Sequence, residues 1–269
     1  MTTTTAARLM PRGTIGGLRA GRLIERNVAL YRRTWYVLAS GLFEPLFYLL
    51  GIGFGLGGLI GNVTLPDGTS VPYGVFVAPG LLASSAMNGA IYEATMNFFF
   101  KLRYNKTYDA ILSTPLGPAD IALGEVSWAL VRGTLYATAF MVFAWLLGLI
   151  VSPWAILGIP VALLIGFSFG AIGMSFTTFM RSWQDFDLVQ LVILPMFLFS
   201  GTFFPITTFP PLVQTIIELT PLYHAVSLER SVTLGLFSPA NIVDTAYLVA
   251  MGLLGVAIVA RRISRILLT

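Results

Sequence analysis

Cysteine is absent from this 269-residue chain, and histidine occurs once, at His224. A chain without cysteine forms no disulfide and has no thiolate nucleophile, and a single histidine cannot build a metal site from several imidazoles. The sequence also lacks the G-x-x-x-x-G-K-[ST] pattern of a nucleotide-binding P-loop and the H-E-x-x-H pattern of zinc proteases. We therefore expect no enzymatic activity, metal or cofactor in this chain.

Charged residues are scarce as well. They make up 10% of the chain, against roughly 25% in an ordinary globular domain, whereas 56% of the residues are hydrophobic. A helix needs roughly 20 apolar residues to cross a bilayer. Six segments reach or approach that length, at about 35–60, 73–100, 126–151, 154–179, 188–204 and 241–260. The sequence predicts an all-α integral membrane protein with six transmembrane helices, forming one domain over residues 18–269.

The segments outside these spans have distinct compositions. Residues 1–17 are small, polar and interrupted by Gly and Pro, which predicts a disordered tail. Residues 18–33 combine five arginines with apolar positions, which predicts an amphipathic helix on the membrane surface. Between the fifth and sixth spans the chain is apolar but broken by prolines, and its longest uninterrupted piece, 212–220, is too short to cross. We expect one or two re-entrant or interfacial helices there.

The basic residues indicate the orientation. Fourteen of the 16 lysines and arginines lie before the first span, after the second, after the fourth or after the sixth. Because basic residues concentrate on the cytoplasmic side of membrane proteins, both termini and the loops at 101–120 and 181–187 are predicted to be cytoplasmic. The proline-broken segment then faces outward.

Four charged residues within or beside the predicted spans stand out. A charge inside the bilayer costs several kcal/mol unless it is paired or hydrated, so Glu44, Glu93, Glu125 and Arg132 each require a partner or a function. Counting ~1.5 Å per helical residue places Glu44, Glu93 and Arg132 at similar depths. We predict that Arg132 pairs with Glu93 or with Glu44, and that Glu125 lies on the same helix face nearer the surface. Such a pair either fixes helix register or lines a substrate path.

The loop after the second span carries a short amphipathic helix, Tyr108–Leu116, that ends at a proline turn. Ile111 and Leu112 are predicted to be exposed there, with no core to cover them, and exposed apolar groups among polar ones indicate a docking surface. The alternative is a helix that lies flat on the membrane.

The proline-broken outward segment contains several polar side chains. They are Glu218, His224, Glu229 and Arg230, with Pro205 at the start of the segment. Their side chains either form an interfacial cluster with all hydrogen bonds made or act as a gate that contacts lipid headgroups.

Three stretches of the sequence resemble a known family. YEATMNFFFKLRYNKTYDAILSTPLGPADIALGE (Tyr92–Glu125), LFSGTFFP (Leu198–Pro205) and PLYHAVSLERSVTLG (Pro221–Gly235) are similar to segments of ABC-2 type export permeases. The likeness is to the branch that includes nodulation lipo-chitooligosaccharide exporters and antibiotic-resistance exporters, and it covers nearly the whole chain.

The resemblance implies a bacterial inner-membrane permease that forms a homodimer, or a heterodimer with a paralogue. A separately encoded ATPase would bind ATP and Mg, and the substrate would be amphipathic: a drug, a glycolipid or a lipid-linked saccharide. Membrane lipid is the other expected partner, and nucleic acid is not. The ATPase would contact a coupling helix, with the N-terminal helix as a second contact, and the outward helices would close the path. The coupling residues are Tyr108, Asp109, Ile111, Leu112, Thr114, Pro115 and Leu116.

Two other functions stay open from the residues alone. One is a proton-coupled secondary transporter that uses Glu44, Glu93 and Arg132, although the sequence shows no inverted repeat of the kind common in such transporters. The other is a membrane scaffold that transports nothing.

Overall fold

The structure, a computed structural model, describes residues 20–33, 35–65, 68–105, 107–114 and 116–268. The tail predicted at 1–17 lies outside them. The described chain is mostly helical, with helices α1 (Ala20–Arg33), α2 (Trp35–Tyr48), α3 (Gly57–Ile60), α4 (Tyr73–Tyr92), α5 (Phe98–Arg103), α6 (Thr107–Leu112), α7 (Pro118–Leu146), α8 (Gly158–Thr177), α9 (Phe186–Phe199), α10 (Pro211–Glu218), α11 (Pro221–Leu234) and α12 (Ala240–Leu268).

Two π-helical stretches join some of these helices into longer rods. Leu49–Leu56 connects α2 to α3, and Glu93–Asn97 connects α4 to α5. Short 3-10 turns occur at Pro153–Leu157, Trp183–Asp185 and Ile206–Thr208.

Five helical rods among the described residues are long and apolar enough to cross a membrane. They cover Phe43–Ile60, Tyr73–Arg103, Leu123–Leu146, Pro153–Thr177 and Ala240–Arg262, which correspond to the first, second, third, fourth and sixth predicted spans. The third rod is part of α7, whose helix begins at Pro118 and ends five residues before the predicted end of that span.

The fifth predicted span, 188–204, contains only α9, a helix of 14 residues. At 1.5 Å per residue such a helix is roughly 21 Å long, which is shorter than the hydrocarbon core of about 30 Å. The helix stops at Phe199 because the chain then turns through Gly201, which adopts φ +76°. The apolar residues that follow α9 form this turn and do not lengthen the helix.

The second rod is the centre of the bundle. In its most apolar window, 78% of the residues are buried, and α4 packs against α7, α8, α11 and the π-helical part of the first rod. Small residues on α4 permit this close packing. Among them, Gly80 lies so near the turn after α9 that a β-carbon there would come within 3.0 Å of Thr202.

Helices α8 and α12 pack against each other at very short distance. A β-carbon on Gly255 would lie 2.6 Å from the carbonyl carbon of Ala171, so only glycine fits at this crossing. Two serines of α8 hydrogen-bond across the pair: the Ser168 hydroxyl donates to the Leu248 carbonyl at 2.8 Å and the Ser175 hydroxyl to the Gly255 carbonyl at 2.9 Å. Small residues and interhelical hydrogen bonds are the usual means by which membrane helices associate.

The segment between the first two rods contains a small β-hairpin, which an all-α prediction did not include. Strands β1 (Asn62–Thr64) and β2 (Ser70–Pro72) pair in antiparallel fashion, with Val63 opposite Val71.

The proline-broken segment forms α10 and α11. Each prolyl residue at their starts, Pro211 and Pro221, occupies a first-turn position where its missing N–H costs nothing. Helix α11 ends at Gly235, which adopts the left-handed conformation with φ +76°. Leu222 and Ala225 are fully buried, since α11 packs against α4, α8 and α12. Helix α11 is thus packed among the other helices of the bundle and does not lie on its surface.

Candidate functional site

A cluster of four charged side chains lies where the second rod meets α7. Arg132 forms an ion pair with Glu93. Lys101 Nζ lies 2.7 Å from Glu125 Oε2 and 3.8 Å from Glu93 Oε1. Both carboxylates are buried, with 6% of Glu93 and 5% of Glu125 exposed. We call these four residues the charge cluster.

The predicted partner of Arg132 is therefore Glu93, one of the two candidates, and that pairing is confirmed. Glu44, the other candidate, has an exposed side chain and takes no part in the charge cluster. In the sequence, Lys101 contributes only to the predicted orientation, as a basic residue of the loop after the second span. Its spacing from Glu93, eight residues along one helix, places the two on the same face and was the signal that could have revealed it.

The π-helical stretch Glu93–Asn97 positions the key carboxylate. A π-helix widens the turn and displaces the side chains that follow it, and such stretches often occur at functional sites. Here the Asn97 amide donates a hydrogen bond of 2.5 Å to Glu93 Oε2, and the Thr95 hydroxyl donates to the Ile91 carbonyl at 2.6 Å. The Asn97 hydrogen bond thus orients the Glu93 carboxylate oxygen that pairs with Arg132 of α7.

Helix α1 reaches the charge cluster through Tyr31. Arg132 donates hydrogen bonds to the Tyr31 hydroxyl at 3.3 Å and to the Tyr136 hydroxyl at 3.2 Å. The Tyr31 ring packs on Trp128 of α7 with 5.1 Å between centroids. Burial and the nearby negative charge of Glu93 raise the pKa of Tyr31, so this hydroxyl stays neutral. Arg132 therefore connects α1, α7 and the second rod.

Helix α6, in the loop after the second span, packs inward. Tyr108 is 1% exposed and its ring lies 5.4 Å from that of Phe98. Ile111 is 9% exposed and belongs to the same apolar cluster as Leu102 and Ile121. The prediction that Ile111 is exposed was wrong, because α5, the start of α7 and residues of α8 and α12 supply an apolar core that the sequence did not reveal.

The other predicted coupling residues are placed as follows. Thr114 is exposed and Leu116 is half-buried against the apolar cluster. Asp109 and Leu112 lie within α6, but their side chains, like the whole of Pro115, lie outside the described residues. Among the side chains of the loop that the structure describes, the exposed ones are Arg103, Tyr104, Asn105, Ala110, Ser113 and Thr114.

Tyr108 also connects α6 to the charge cluster. Burial, followed by the adjacent carboxylate of Glu125, raises the pKa of Tyr108 well above its usual value, so the buried phenol stays neutral. The Tyr108 hydroxyl lies beside Glu125 without a hydrogen-bond partner among the described residues. From Glu125, a series of buried and half-buried polar side chains continues through Lys101, Glu93 and Arg132 to Tyr31.

An open, largely apolar cleft between α4, α7 and α8 borders this series. Glu93, Arg132 and Tyr136 form its polar part, and small residues such as Gly89 and Gly166 line the remainder. In the described part of the chain no group of three or more His, Cys, Asp or Glu side chains could hold a metal ion.

The predicted outward polar residues do not form one cluster. His224 Nδ1 lies 2.7 Å from Asp244 Oδ1, and its ring stacks on Tyr247 at 4.1 Å. Arg230 donates to the Gly201 carbonyl at 2.8 Å and lies over the Phe76 ring at 4.0 Å.

The remaining three residues lie apart from those contacts. Glu229 is fully buried beside Gly158 at the start of α8, Glu218 is exposed and Pro205 is half-buried before a 3-10 turn. Asp244, the partner of His224, was missed, although it lies in the predicted sixth span, where the cost of an unpaired charge was the signal that could have revealed it.

Apolar rods of membrane-crossing length around a buried charge cluster define a multi-pass α-helical membrane protein. The model of the ABC-2 type transporter family matches residues 20–234, which is more than half of the chain. The chain therefore belongs to this family and is a transport permease, as the motif resemblance indicated.

Several relatives support this assignment. The chain is 34% identical over 260 residues to nodulation protein J of Rhizobium leguminosarum bv. viciae, covering 93% of this chain and 97% of that protein. It is 36% identical over 219 residues to nodulation protein J of Rhizobium meliloti (strain 1021), covering 77% and 81%. It is 27% identical over 239 residues to the inner membrane transport permease YadH of Escherichia coli (strain K12), covering 87% and 88%.

Proposed function

We propose that this chain is the transmembrane subunit of an ATP-driven exporter in the bacterial inner membrane. It works as a homodimer, or as a heterodimer with a paralogue, and both termini are cytoplasmic. A separately encoded ATPase binds ATP and Mg and hydrolyses the nucleotide. The permease moves an amphipathic molecule from the cytoplasm or the inner leaflet to the outside and carries out no covalent chemistry.

The series of polar side chains that extends from Tyr108, beside Glu125, to Tyr31 is the observation that carries this proposal. Because α6 is packed into the ends of α5 and α7, a force on the exposed side of the loop moves those helices instead of a mobile loop. The ion pairs then rearrange where the second rod and α7 border the cleft. Nucleotide binding needs only to favour one of two such arrangements to drive transport.

The amphipathic substrate is supported by the cleft. Its wall is mostly apolar, and its polar groups are concentrated at Glu93, Arg132 and Tyr136, so its lining matches the chemical character of a molecule with an apolar body and a polar head. The cleft itself has room for only about 30 Å³, so it must widen before such a molecule enters. A drug, a glycolipid and a lipid-linked saccharide all have this character.

Co-purification tests the ATPase partnership. Ala110→Arg alters the exposed surface of the loop without disturbing the apolar cluster around Ile111. Thr207→Arg makes the same kind of change at an exposed position far along the chain, between α9 and α10, and is the matched control.

We expect the wild type and Thr207→Arg to retain a P-loop ATPase in mild detergent, and Ala110→Arg to lose it while remaining folded. A folded wild type that retains no ATPase would refute the proposal. Retention by Ala110→Arg equal to that of Thr207→Arg would place the ATPase contact elsewhere and remove the assigned coupling surface.

A further inference from the structure

Glu229 is an acidic residue that the bundle buries without a partner. Its side chain is 0% exposed, and neither carboxyl oxygen has a hydrogen-bond partner among the described residues. Most buried polar groups in native proteins have at least one such partner, so an unpartnered carboxyl in the interior requires an explanation.

The carboxyl of Glu229 lies against the first residue of α8. A β-carbon at residue 158 would overlap Glu229 Oε1, so the contact exists only because Gly158 has none. Thr233, one turn further along α11, donates its hydroxyl to the backbone carbonyl of Glu229 at 2.7 Å and leaves the carboxyl unpaired. At this contact, the unpaired carboxyl of Glu229 in α11 packs directly against the backbone of Gly158 in α8.

The charged groups around α11 are engaged elsewhere. Arg230 donates to the Gly201 carbonyl and lies over Phe76, and on α12 Asp244 pairs with His224. Glu218 of α10 is exposed.

The other packed elements bring no countercharge either. Residues 153–157 and helix α8 contain no titratable side chain, and at the adjoining end of α4 the Tyr73 hydroxyl donates to the Phe203 carbonyl. No cation in the described part of the bundle therefore neutralises Glu229.

A buried carboxyl without a cation is far less costly as the neutral acid than as the carboxylate. Burial accordingly raises the pKa of Glu229 well above its usual value. The acid ionises readily only if α11 separates from α8 and water reaches it.

We propose that Glu229 is a proton-sensitive latch between α11 and the start of α8. With the contact closed the side chain is the neutral acid. When the contact opens, the O–H bond breaks, the proton passes to water, and the hydrated carboxylate opposes closure. Acid conditions therefore favour the closed contact and alkaline conditions the open one. This inference goes beyond the proposed export function, since it concerns a contact within the chain alone.

The direction of this pH dependence follows from proton linkage. The closed state binds more protons than the open state at any pH between the ordinary pKa of an exposed glutamate and the raised pKa of the buried one. Within that interval the ratio of open to closed molecules rises about tenfold for each unit of pH. Below it, both states hold the proton and the ratio does not change with pH.

Hydrogen–deuterium exchange of residues 221–235 measures this opening in the purified full-length protein, without nucleotide or ATPase. The intrinsic pH dependence of exchange cancels when each variant is divided by the wild type. Glu229→Gln keeps the shape but cannot ionise, and Glu229→Met keeps the length with an apolar end. Glu218→Gln removes a neighbouring exposed carboxylate and is the matched control.

We expect the wild-type rate, relative to Glu229→Gln and Glu229→Met, to rise with pH by up to about tenfold per unit, and Glu218→Gln to follow the wild type. Parallel pH profiles for the wild type and either folded Glu229 variant would overturn the proposal.

A second measurement needs no variant of Glu229. The infrared spectrum of the wild type at neutral pH is expected to contain the carbonyl band of a protonated carboxylic acid, and its absence would also overturn the proposal. Both measurements use the chain alone, so a failure here is separate from any failure of the export function.

Discussion

Lys101 bridges Glu93 and Glu125, with its ammonium nitrogen 3.8 Å from the first carboxylate and 2.7 Å from the second. One lysine near the end of the second rod thus connects the Glu93–Arg132 pair, deep in the bundle, to the acidic residue beside α6. We therefore expect changes in the charge cluster to affect the packing of the second rod against α7.

Removal of Arg132 is expected to destabilise the protein. Arg132→Leu leaves Glu93 buried with only the more distant Lys101 as a counterion, and breaking a buried ion pair in this way costs roughly 3 kcal/mol. Arg132→Leu/Glu93→Leu removes both charges and is expected to recover most of that stability. Thermal unfolding in detergent measures both effects, and Glu44→Leu, at an exposed position, is expected to change little.

The same double variant separates the two functions considered for the pair. If it folds but does not export, the pair contributes to the transport path. Normal export by a folded double variant would leave the pair only a role in fixing helix register.

Tyr108→Phe is expected to affect coupling more than stability. The variant keeps the ring against Phe98 but removes the hydroxyl beside Glu125. We expect ATP hydrolysis by the assembled complex to continue while export falls, whereas Tyr108→Ala is expected to lose about 3–5 kcal/mol of stability through the cavity it creates. Equal export per ATP hydrolysed in Tyr108→Phe and the wild type would show that the hydroxyl plays no part in coupling.

Ile111→Ala is expected to destabilise the protein by about 2–4 kcal/mol because the side chain is buried. Ala110→Arg, at the adjacent exposed position, is expected to leave the unfolding temperature nearly unchanged. If the two variants melted at the same temperature, α6 would not be packed as described, and the inward-facing side of the loop would have to be reassigned.

Gly255→Ala is expected to separate α12 from α8. Its new β-carbon would overlap the backbone of Ala171, and such overpacking typically costs about 1–3 kcal/mol. The matched control is Gly89→Ala, where nothing lies within 4 Å of the new β-carbon and greater helix propensity stabilises by up to about 1 kcal/mol. Expression level and unfolding temperature compare the two, and an unchanged Gly255→Ala would contradict the tight crossing.

The hydrophobicity of the chain and the expected depth of its charged residues in the membrane were sufficient to predict the five long rods and an ion pair at Arg132. Long apolar runs located the five full-length rods, because each bilayer crossing requires such a run. The cost of an unpaired charge predicted a partner for Arg132, and counting residues reduced the choice to Glu93 or Glu44. Neither argument depends on knowing how the helices are arranged.

The features that were missed depend on tertiary context. Hydropathy does not detect the turn through Gly201 that shortens α9, since the residues on both sides of that turn are apolar. The burial of Ile111 depends on α8 and α12, which are distant in sequence. The separate surroundings of His224, Glu229 and Arg230 depend on how α11 packs against the other helices. A pattern along one segment does not specify which neighbour covers it.

Site-specific crosslinking in cells is the most direct test of the proposed ATPase contact, and the absence of cysteine makes any thiol introduced into this chain unique. Ser113→Cys places that thiol on the exposed side of the coupling loop, and Thr207→Cys places it at an exposed position between α9 and α10. The account predicts that a bifunctional thiol–amine crosslinker joins Ser113→Cys, and not Thr207→Cys, to a P-loop ATPase. A folded Ser113→Cys protein that gives no ATPase adduct, or the same adduct from both positions, would contradict it.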